Sequence, residues 1–313
     1  MATRTKRPPK RRPAQAPKRR VEEKRIGRWW PWTAGATALA VAAIAAAVIA
    51  AGGGDGGSSG AAEAAGLPNT PDYHSLLVAP NDPNSLVLGT HQGLFQSSDG
   101  GRTWQSATLA GQDAMNLARA NGTVVWAAGH EVLARSTDGG ETWQDVRPDG
   151  LPGLDVHGFA VDPRDPKTLY AAIAGQGLFR STDGGASFSV VSREIGPGVM
   201  ALAVTPDGRI LAGDMQQGLF ASADGGKTWK VTLQAGLMGL AVNPKEPERI
   251  VATGPGILLS TDGGRTWDQV LPLEQGAGPV AWAPSTPRVG YVVGFDKTLY
   301  KTEDGGATWQ PVI

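Results

Sequence analysis

The 313-residue sequence has no cysteine, which excludes disulfide frameworks, thiolate zinc sites and cysteine nucleophiles. Aromatic residues make up only 6% of the chain and charged residues only 19%, and there are just four His and five Met. Neither sign of charge is in excess, since 29 Lys and Arg balance 29 Asp and Glu. Glycine is abundant instead. Its 44 copies are about twice ordinary usage, which points to many tight turns and an all-β protein.

The zero net charge hides a strong asymmetry. Residues 1–28 hold 12 Lys and Arg against Glu22 and Glu23, a net +10, and the remaining 17 basic and 27 acidic residues carry −10. The basic stretch ends at Trp29-Trp30-Pro31-Trp32, and Thr33 to Ala51 then carries no charge. Its nineteen residues are mostly Ala, with Leu39, Val41, Ile44, Val48 and Ile49. At about 1.5 Å rise per residue they cover about 28 Å, close to the roughly 30 Å hydrocarbon core. Tryptophans at one end and flanking positive charge fit an interfacial belt and the positive-inside rule. A cleaved signal peptide is the alternative, although both the charged leader and the apolar run are long for one.

The expected organisation has four parts. Residues 1–28 form a disordered basic cytoplasmic tail and 29–51 a single transmembrane helix. Residues 52–73 form a Gly/Ser/Ala-rich linker, and 74–313 form a folded extracytoplasmic body. This places the chain in the plasma (inner) membrane, tethered through 33–51. The tail serves as an orientation signal and as an anchor for anionic lipid. Nucleic acid is not an expected partner, because Arg102, Lys227 and Arg265 are scattered over the acidic body and form no cluster.

One segment recurs six times from residue 74 onward. Ser97-Ser98-Asp99-Gly100-Gly101-Arg102-Thr103-Trp104 is echoed by the runs ending at Trp143, Phe188, Trp229, Trp267 and Trp309. The aspartates Asp99, Asp138, Asp183, Asp224, Asp262 and Asp304 are spaced 39, 45, 41, 38 and 42 apart. A period near 40 residues signals a repeat architecture. In the third unit, β-rich runs at Gly158–Val161, Thr168–Ala172, Leu178–Ser181 and Phe188–Val191 alternate with Pro, Asp and Gly turns. Four strands per unit is the arithmetic of a propeller blade. The fold class is therefore all-β, a six-bladed β-propeller of four-stranded blades. Blade one begins with its own innermost strand and blade six ends with its outermost, so the ring closes without an exchanged strand unless 66–73 adds a segment.

The repeated Ser-x-Asp-x-Gly-x-Thr-Trp resembles the Asp-box, or BNR repeat, of sialidase-type propellers, here in what looks like a membrane-anchored bacterial member. The sixth copy has Thr302 for the first Ser, and the third has Ser187-Phe188 for Thr-Trp. The resemblance implies that each box lies between the third and fourth strands, with its Asp bonded to turn backbone and its Trp packed between sheets. Such propellers include sialidases, xyloglucanases, sortilin-type receptors and a photosystem assembly factor, so the fold does not choose the function.

A sialidase would bring three arginines, a Tyr nucleophile paired with Glu, and an Asp acid/base. The Arg-Ile-Pro signature is missing, and Tyr170 and Tyr291 sit mid-strand as packing residues would. For another glycosidase, two carboxylates must flank the bond about 5–9.5 Å apart. Glu131, Asp214 and Asp296, in turns between second and third strands, are the candidates. No catalytic residue is assigned.

The histidines and methionines show a clearer pattern. His74, Met115, His157, Met200 and Met238 share one repeat position, before the first strand's core. His91 and His130 share another, eight residues before the Asp-box aspartate, and Met215 lies one residue ahead of that position in the fourth unit. Both positions fall at the blade end opposite the Asp boxes, the end that holds the active site in sialidases. Imidazole with thioether suits Cu(I), and imidazole alone suits zinc or Cu(II). The expected function is an extracytoplasmic binding or assembly module with a metal or small-ligand site at the channel mouth, taking copper or zinc. A protein, metal or glycan is the expected ligand. The alternative is a glycoside hydrolase acting on extracellular glycans.

Overall fold

The structure, a computed structural model, describes residues 64–312. The basic tail, the 29–51 span and the linker up to residue 63 lie outside the described residues. Among the described residues no helix is long and apolar enough to cross a membrane.

Blade one contains β1 (Ala64–Ala65), β2 (Ser75–Val78), β3 (Leu86–Thr90), β4 (Gly93–Ser97) and β5 (Thr103–Ser106), in the order β1-β5-β4-β3-β2. Blade two is β6 (Asn116–Asn121), β7 (Val124–Gly129), β8 (Val132–Ser136) and β9 (Gln144–Asp145). Blade three is β10 (Val156–Asp162), β11 (Asp165–Ile173), β12 (Gly177–Ser181) and β13 (Ser189–Ser192). Blade four is β14 (Val199–Val204), β15 (Ile210–Asp214), β16 (Gly218–Ser222) and β17 (Lys230–Leu233). Blade five is β18 (Gly239–Val242), β19 (Ile250–Thr253), β20 (Gly256–Ser260) and β21 (Asp268–Pro272). Blade six is β22 (Ala277–Trp282), β23 (Gly290–Gly294), β24 (Leu299–Thr302) and β25 (Gln310–Pro311). Strands β2 to β5 and each of the other five sheets form a four-stranded antiparallel meander, as the six-blade, four-strand arithmetic requires.

The core lies in the seams between blades. Separate clusters of buried apolar side chains fill the seams six–one, two–three, three–four, four–five and five–six. Tyr170 and Tyr291 belong to these clusters and are buried packing residues, as their mid-strand positions suggest. The seam between blades one and two is crossed by polar links instead. Ser75 Oγ donates to Ala114 O at 2.9 Å, Ala114 N to Thr90 O at 3.1 Å, and Trp143 Nε1 to Thr108 Oγ1 at 2.9 Å. Trp143 is the one box aromatic that joins none of the five clusters.

The ring closes without an exchanged strand, by packing of blade one against blade six. The stretch before residue 74, expected as linker, contributes more than a tether. Its Ala64–Ala65 strand pairs with β5 and gives blade one a fifth strand, because β5 offers an open edge of unpaired backbone groups. The chain then runs inward along the seam. Leu67 packs on the blade six–one cluster, Tyr73 Oη donates to Pro68 O at 2.7 Å, and Lys297 Nζ of blade six donates to Asn69 Oδ1 at 3.1 Å.

All six Asp boxes form the turn between third and fourth strands. In the first, Asp99 accepts from Ser97 Oγ (2.9 Å), Arg102 N (2.9 Å), Thr103 N (2.9 Å) and Thr103 Oγ1 (2.7 Å). Ser97 Oγ in turn accepts from Gly101 N at 2.9 Å, and Trp104 Nε1 donates to Gly101 O at 2.9 Å. The second glycine has two reasons to be glycine. Gly185 has φ +89, and a Cβ there would lie 2.6 Å from the Trp126 ring of blade two. Trp104, Phe188 and Trp309 are buried, while Trp143, Trp229 and Trp267 are half-buried.

Candidate ligand site on the rim of blades one to three

The end of each blade opposite its Asp box is assembled by backbone bonds between neighbours. The turn after a blade's second strand bonds to the lead-in of the next blade. Ala114 N donates to Thr90 O, Glu131 N to Leu154 O at 2.8 Å, and His130 forms an antiparallel bridge with Asp155. The same link recurs where Leu237 N donates to Asp214 O at 3.0 Å and Ala277 N to Gly254 O at 2.9 Å. Each second-strand turn therefore faces two lead-ins, its own and the next. In blades one to three those positions hold His91, His130 and the segments Asp72–His74, Asp113–Met115 and Asp155–His157.

The four histidines converge. Ring centroids are 4.3 Å apart for His74 and His91, 6.0 Å for His91 and His130, and 5.2 Å for His130 and His157. An aspartate lies between each pair. Asp72 lies 3.3 Å from His74 Nε2 and 3.0 Å from His91 Nε2. Asp113 Oδ2 lies 2.8 Å from His91 Nδ1 and 2.6 Å from His130 Nδ1. Asp155 Oδ1 lies 3.2 Å from His130 Nε2 and 3.1 Å from His157 Nε2, and those two nitrogens are 3.2 Å apart. His157 occupies a β-bulge between Val156 and Gly158, an irregularity that re-aims a side chain.

These short contacts are not a saturated hydrogen-bond network. Asp72 Oδ1, His74 Nε2, both Asp113 oxygens and His157 Nδ1 are buried without an aligned hydrogen-bond partner among the described residues. Burial pushes the His74 imidazole below its ordinary value, with His91 and His130 adding to the push and Asp72 and Asp113 opposing it. Three sets of donors each fall within 4.8 Å of one another: Asp72/His74/His91, His91/Asp113/His130 and His130/Asp155/His157. Two imidazoles and a carboxylate are a donor set for zinc or Cu(II).

The methionines share a place with only one of the histidines, His74. Met115, Met200 and Met238 line a channel cavity of about 80 Å³ together with His74, Phe159 and Val280, one residue from each blade. Phe159 fills the position that the repeat alignment gave to His157. Met215 sits in a blade-four turn, 45% exposed. The partners of the histidines are thus carboxylates, which the repeat position itself could have revealed. Two residues before His74, Met115 and His157 stand Asp72, Asp113 and Asp155, whereas Gly198, Gly236 and Gly276 occupy that place in blades four to six.

Two of the other carboxylates singled out by sequence accept hydrogen bonds from their own turns. Asp214 is fully buried; its Oδ1 accepts from Gln216 N and Gln217 N, both at 2.8 Å, while its Oδ2 has no aligned partner. Asp296 accepts from Thr298 N at 3.0 Å and Tyr300 Oη at 2.8 Å. Glu131 adopts φ 58 at the turn that presents His130.

A family profile described as photosynthesis system II assembly factor YCF48 matches residues 72–213, which cover blades one to three and the start of blade four. No curated protein sequence matches the chain. Among solved structures, the GH74 xyloglucanase of Xanthomonas campestris is similar over 81% of this chain and 46% of that one, with 22% identity and TM-score 0.56. A YCF48 bound to D1 peptide is similar over 79% of this chain and 84% of that one, with 20% identity and TM-score 0.53. YCF48 from Cyanidioschyzon merolae is similar over 80% and 88%, with 18% identity and TM-score 0.52. The chain spans about half the length of the GH74 enzymes it resembles. At these identities the likeness concerns the fold. Together with six boxes in register, it makes the chain a six-bladed β-propeller of the BNR type.

Proposed function

We propose that this propeller is a membrane-tethered, extracytoplasmic binding or assembly module whose ligand site is the His/Asp rim of blades one to three, and that the rim takes a divalent transition metal. The observation that carries the reading is the convergence of all four histidines on three aspartates, several of whose polar atoms are buried without an aligned partner. Buried polar atoms ordinarily find partners, so a rim that leaves them without any is suited to a ligand. Imidazole and carboxylate favour zinc or Cu(II) over the softer Cu(I), since only His74 of the four histidines shares a cavity with methionines. The tether rests on the uncharged 33–51 run and its Trp and basic flanks. A YCF48 structure that holds a D1 peptide supports a protein segment as the partner class.

Catalysis on glycans is the weaker reading. Asp296 and one oxygen of Asp214 are engaged with their own turns, and the GH74 likeness is one of fold.

Calorimetric titration of the full-length chain in detergent, after chelation, tests the reading. Zn(II) or Cu(II) should bind at micromolar exposure or tighter. His74→Ala combined with His157→Ala should abolish that binding while near-ultraviolet circular dichroism stays that of the folded propeller. Absence of binding by the unaltered chain removes the metal reading and leaves the rim to a protein or glycan.

A further inference from the structure

The rim offers three donor triplets but only four imidazoles, and the number of nitrogen lone pairs decides how many ions it can hold. A neutral imidazole has one N–H and one lone pair, so it can ligate one ion. His91 and His130 each belong to two triplets. All three triplets cannot be filled at once by neutral rings. A single central ion on His91, Asp113 and His130 would leave His74 and His157 without a role. Two outer ions would use every imidazole once.

The distances separate these arrangements. Donors on one tetrahedral ion, at about 2.0–2.2 Å from it, lie roughly 3.3 Å from one another. The His130/Asp155/His157 triplet has edges of 3.2, 3.1 and 3.2 Å, a triangular face of that size. In the Asp72/His74/His91 triplet the carboxylate faces the two imidazoles through different oxygens, Oδ1 at 3.3 Å from His74 Nε2 and Oδ2 at 3.0 Å from His91 Nε2, and its three donors still fall within 4.8 Å of one another. The central contacts, 2.8 and 2.6 Å to a single oxygen, are too short for two donors sharing an ion. They match the separation of an N–H from a carboxylate that accepts it.

Resting on the metal reading above, we propose that the rim holds two divalent ions, one on Asp72, His74 and His91 and one on His130, Asp155 and His157, with Asp113 between them as the shared acceptor of both Nδ1–H groups. A ligating histidine commonly donates its other N–H to a carboxylate, which fixes its tautomer and orientation. Here one carboxylate would serve two histidines on adjacent blades and so tie the two ions together. As the rings stand, neither N–H is aligned on Asp113. The arrangement therefore includes a small shift of the Asp113 carboxylate into line with both N–H groups, which leaves the outer donors in place. Asp113 is a positioning residue in this scheme and not a ligand. Its side chain is only 11% exposed, so few waters can replace the two N–H groups.

Metal content and Co(II) absorption of the full-length chain distinguish the outcomes. Two Zn(II) per chain are expected, and one each in His74→Ala and His157→Ala. Asp113→Asn should still take two, each about 10–100-fold more weakly, with the d–d bands of Co(II) reached at higher concentration. One ion in the unaltered chain, unchanged by His157→Ala and lost in Asp113→Asn, would overturn the two-ion arrangement in favour of a central site and leave the metal reading standing. No ion at all would overturn both. If Asp113→Asn stays folded yet loses both ions, its role as a bystander acceptor falls.

Discussion

The two ends of the blades use the same side chain in opposite ways. At the Asp-box end, six carboxylates sit near the surface and each takes hydrogen bonds from its own turn, as Asp183 does from Ser181 Oγ at 2.7 Å, Ser187 N at 3.0 Å and Ser187 Oγ at 2.6 Å. At the rim end, the Asp113 side chain is only 11% exposed, and three of the four oxygens of Asp72 and Asp113 are buried without an aligned partner. A carboxylate whose lone pairs are filled by its own loop belongs to the scaffold. One left unsatisfied in a partly buried place destabilises the fold and persists when something else uses it. Six near-identical turns and one irregular half-ring thus mark structure and function on one repeat.

Replacing the same residue at both ends should give the largest contrast. Asp99→Ala removes four hydrogen bonds from the blade-one turn and should lower Tm by roughly 5 °C in this two-hundred-odd-residue propeller. Asp113→Ala, measured in chelator, should leave Tm unchanged or raise it, because it removes two buried oxygens that lack aligned partners. Thermal unfolding followed by circular dichroism checks both. Equal losses from the two variants would erase the distinction between the ends.

Much of this was readable in advance, for physical reasons that differ by region. Blade number, strand number and the Asp-box turns follow from Ser, Asp and Gly types that local geometry demands, so each copy announces itself. The repeat alignment also brought His74, His91, His130 and His157 to one end. It paired them with methionines because residue type, not neighbourhood, set the grouping. Met115, Met200 and Met238 fill the narrowing channel as flexible apolar side chains do. The link from His91 to Asp113 depends on one blade's turn meeting the next blade's lead-in, a contact invisible within a single unit. The β1 strand was equally silent, since Ala64–Ala65 has no β preference and pairs only because β5 leaves an edge.

Acid should weaken the box end next. Burial of Asp99 opposes its ionisation, but bonds from Thr103, Ser97 and Arg102 outweigh that and hold its carboxyl at about 2. The Thr308 hydroxyl leads the causes that hold Asp304 at about 2. Both values lie below the ordinary 3.8, so the folded state favours the charged form. The stabilisation is complete above pH 3.8 and is lost as pH falls toward 2. Urea midpoints should therefore fall steadily from about pH 4 to about pH 2, and the fall should be shallower in an Asp99→Asn, Asp304→Asn double variant. An identical slope in that variant would mean that these turns do not depend on the ionised carboxylates.

The smallest effect is expected of Thr302→Ser, at the one box whose first residue departs from the pattern. Thr302 Oγ1 donates to Asp304 Oδ1 at 2.8 Å and accepts from Gly306 N at 2.9 Å, as Ser181 Oγ does with Asp183 at 2.7 Å and Gly185 N at 2.9 Å. The hydroxyl is what the turn requires, and the extra methyl is buried with the rest of the residue, which is 1% exposed. Thr302→Ser should keep every bond and lose only that methyl, about 0.8 kcal/mol or less in chemical denaturation. Thr302→Val keeps the shape but strips Gly306 N of its acceptor, and should cost about 1–3 kcal/mol. If the serine variant proved the worse of the two, side-chain packing and not the hydroxyl would be what holds the box.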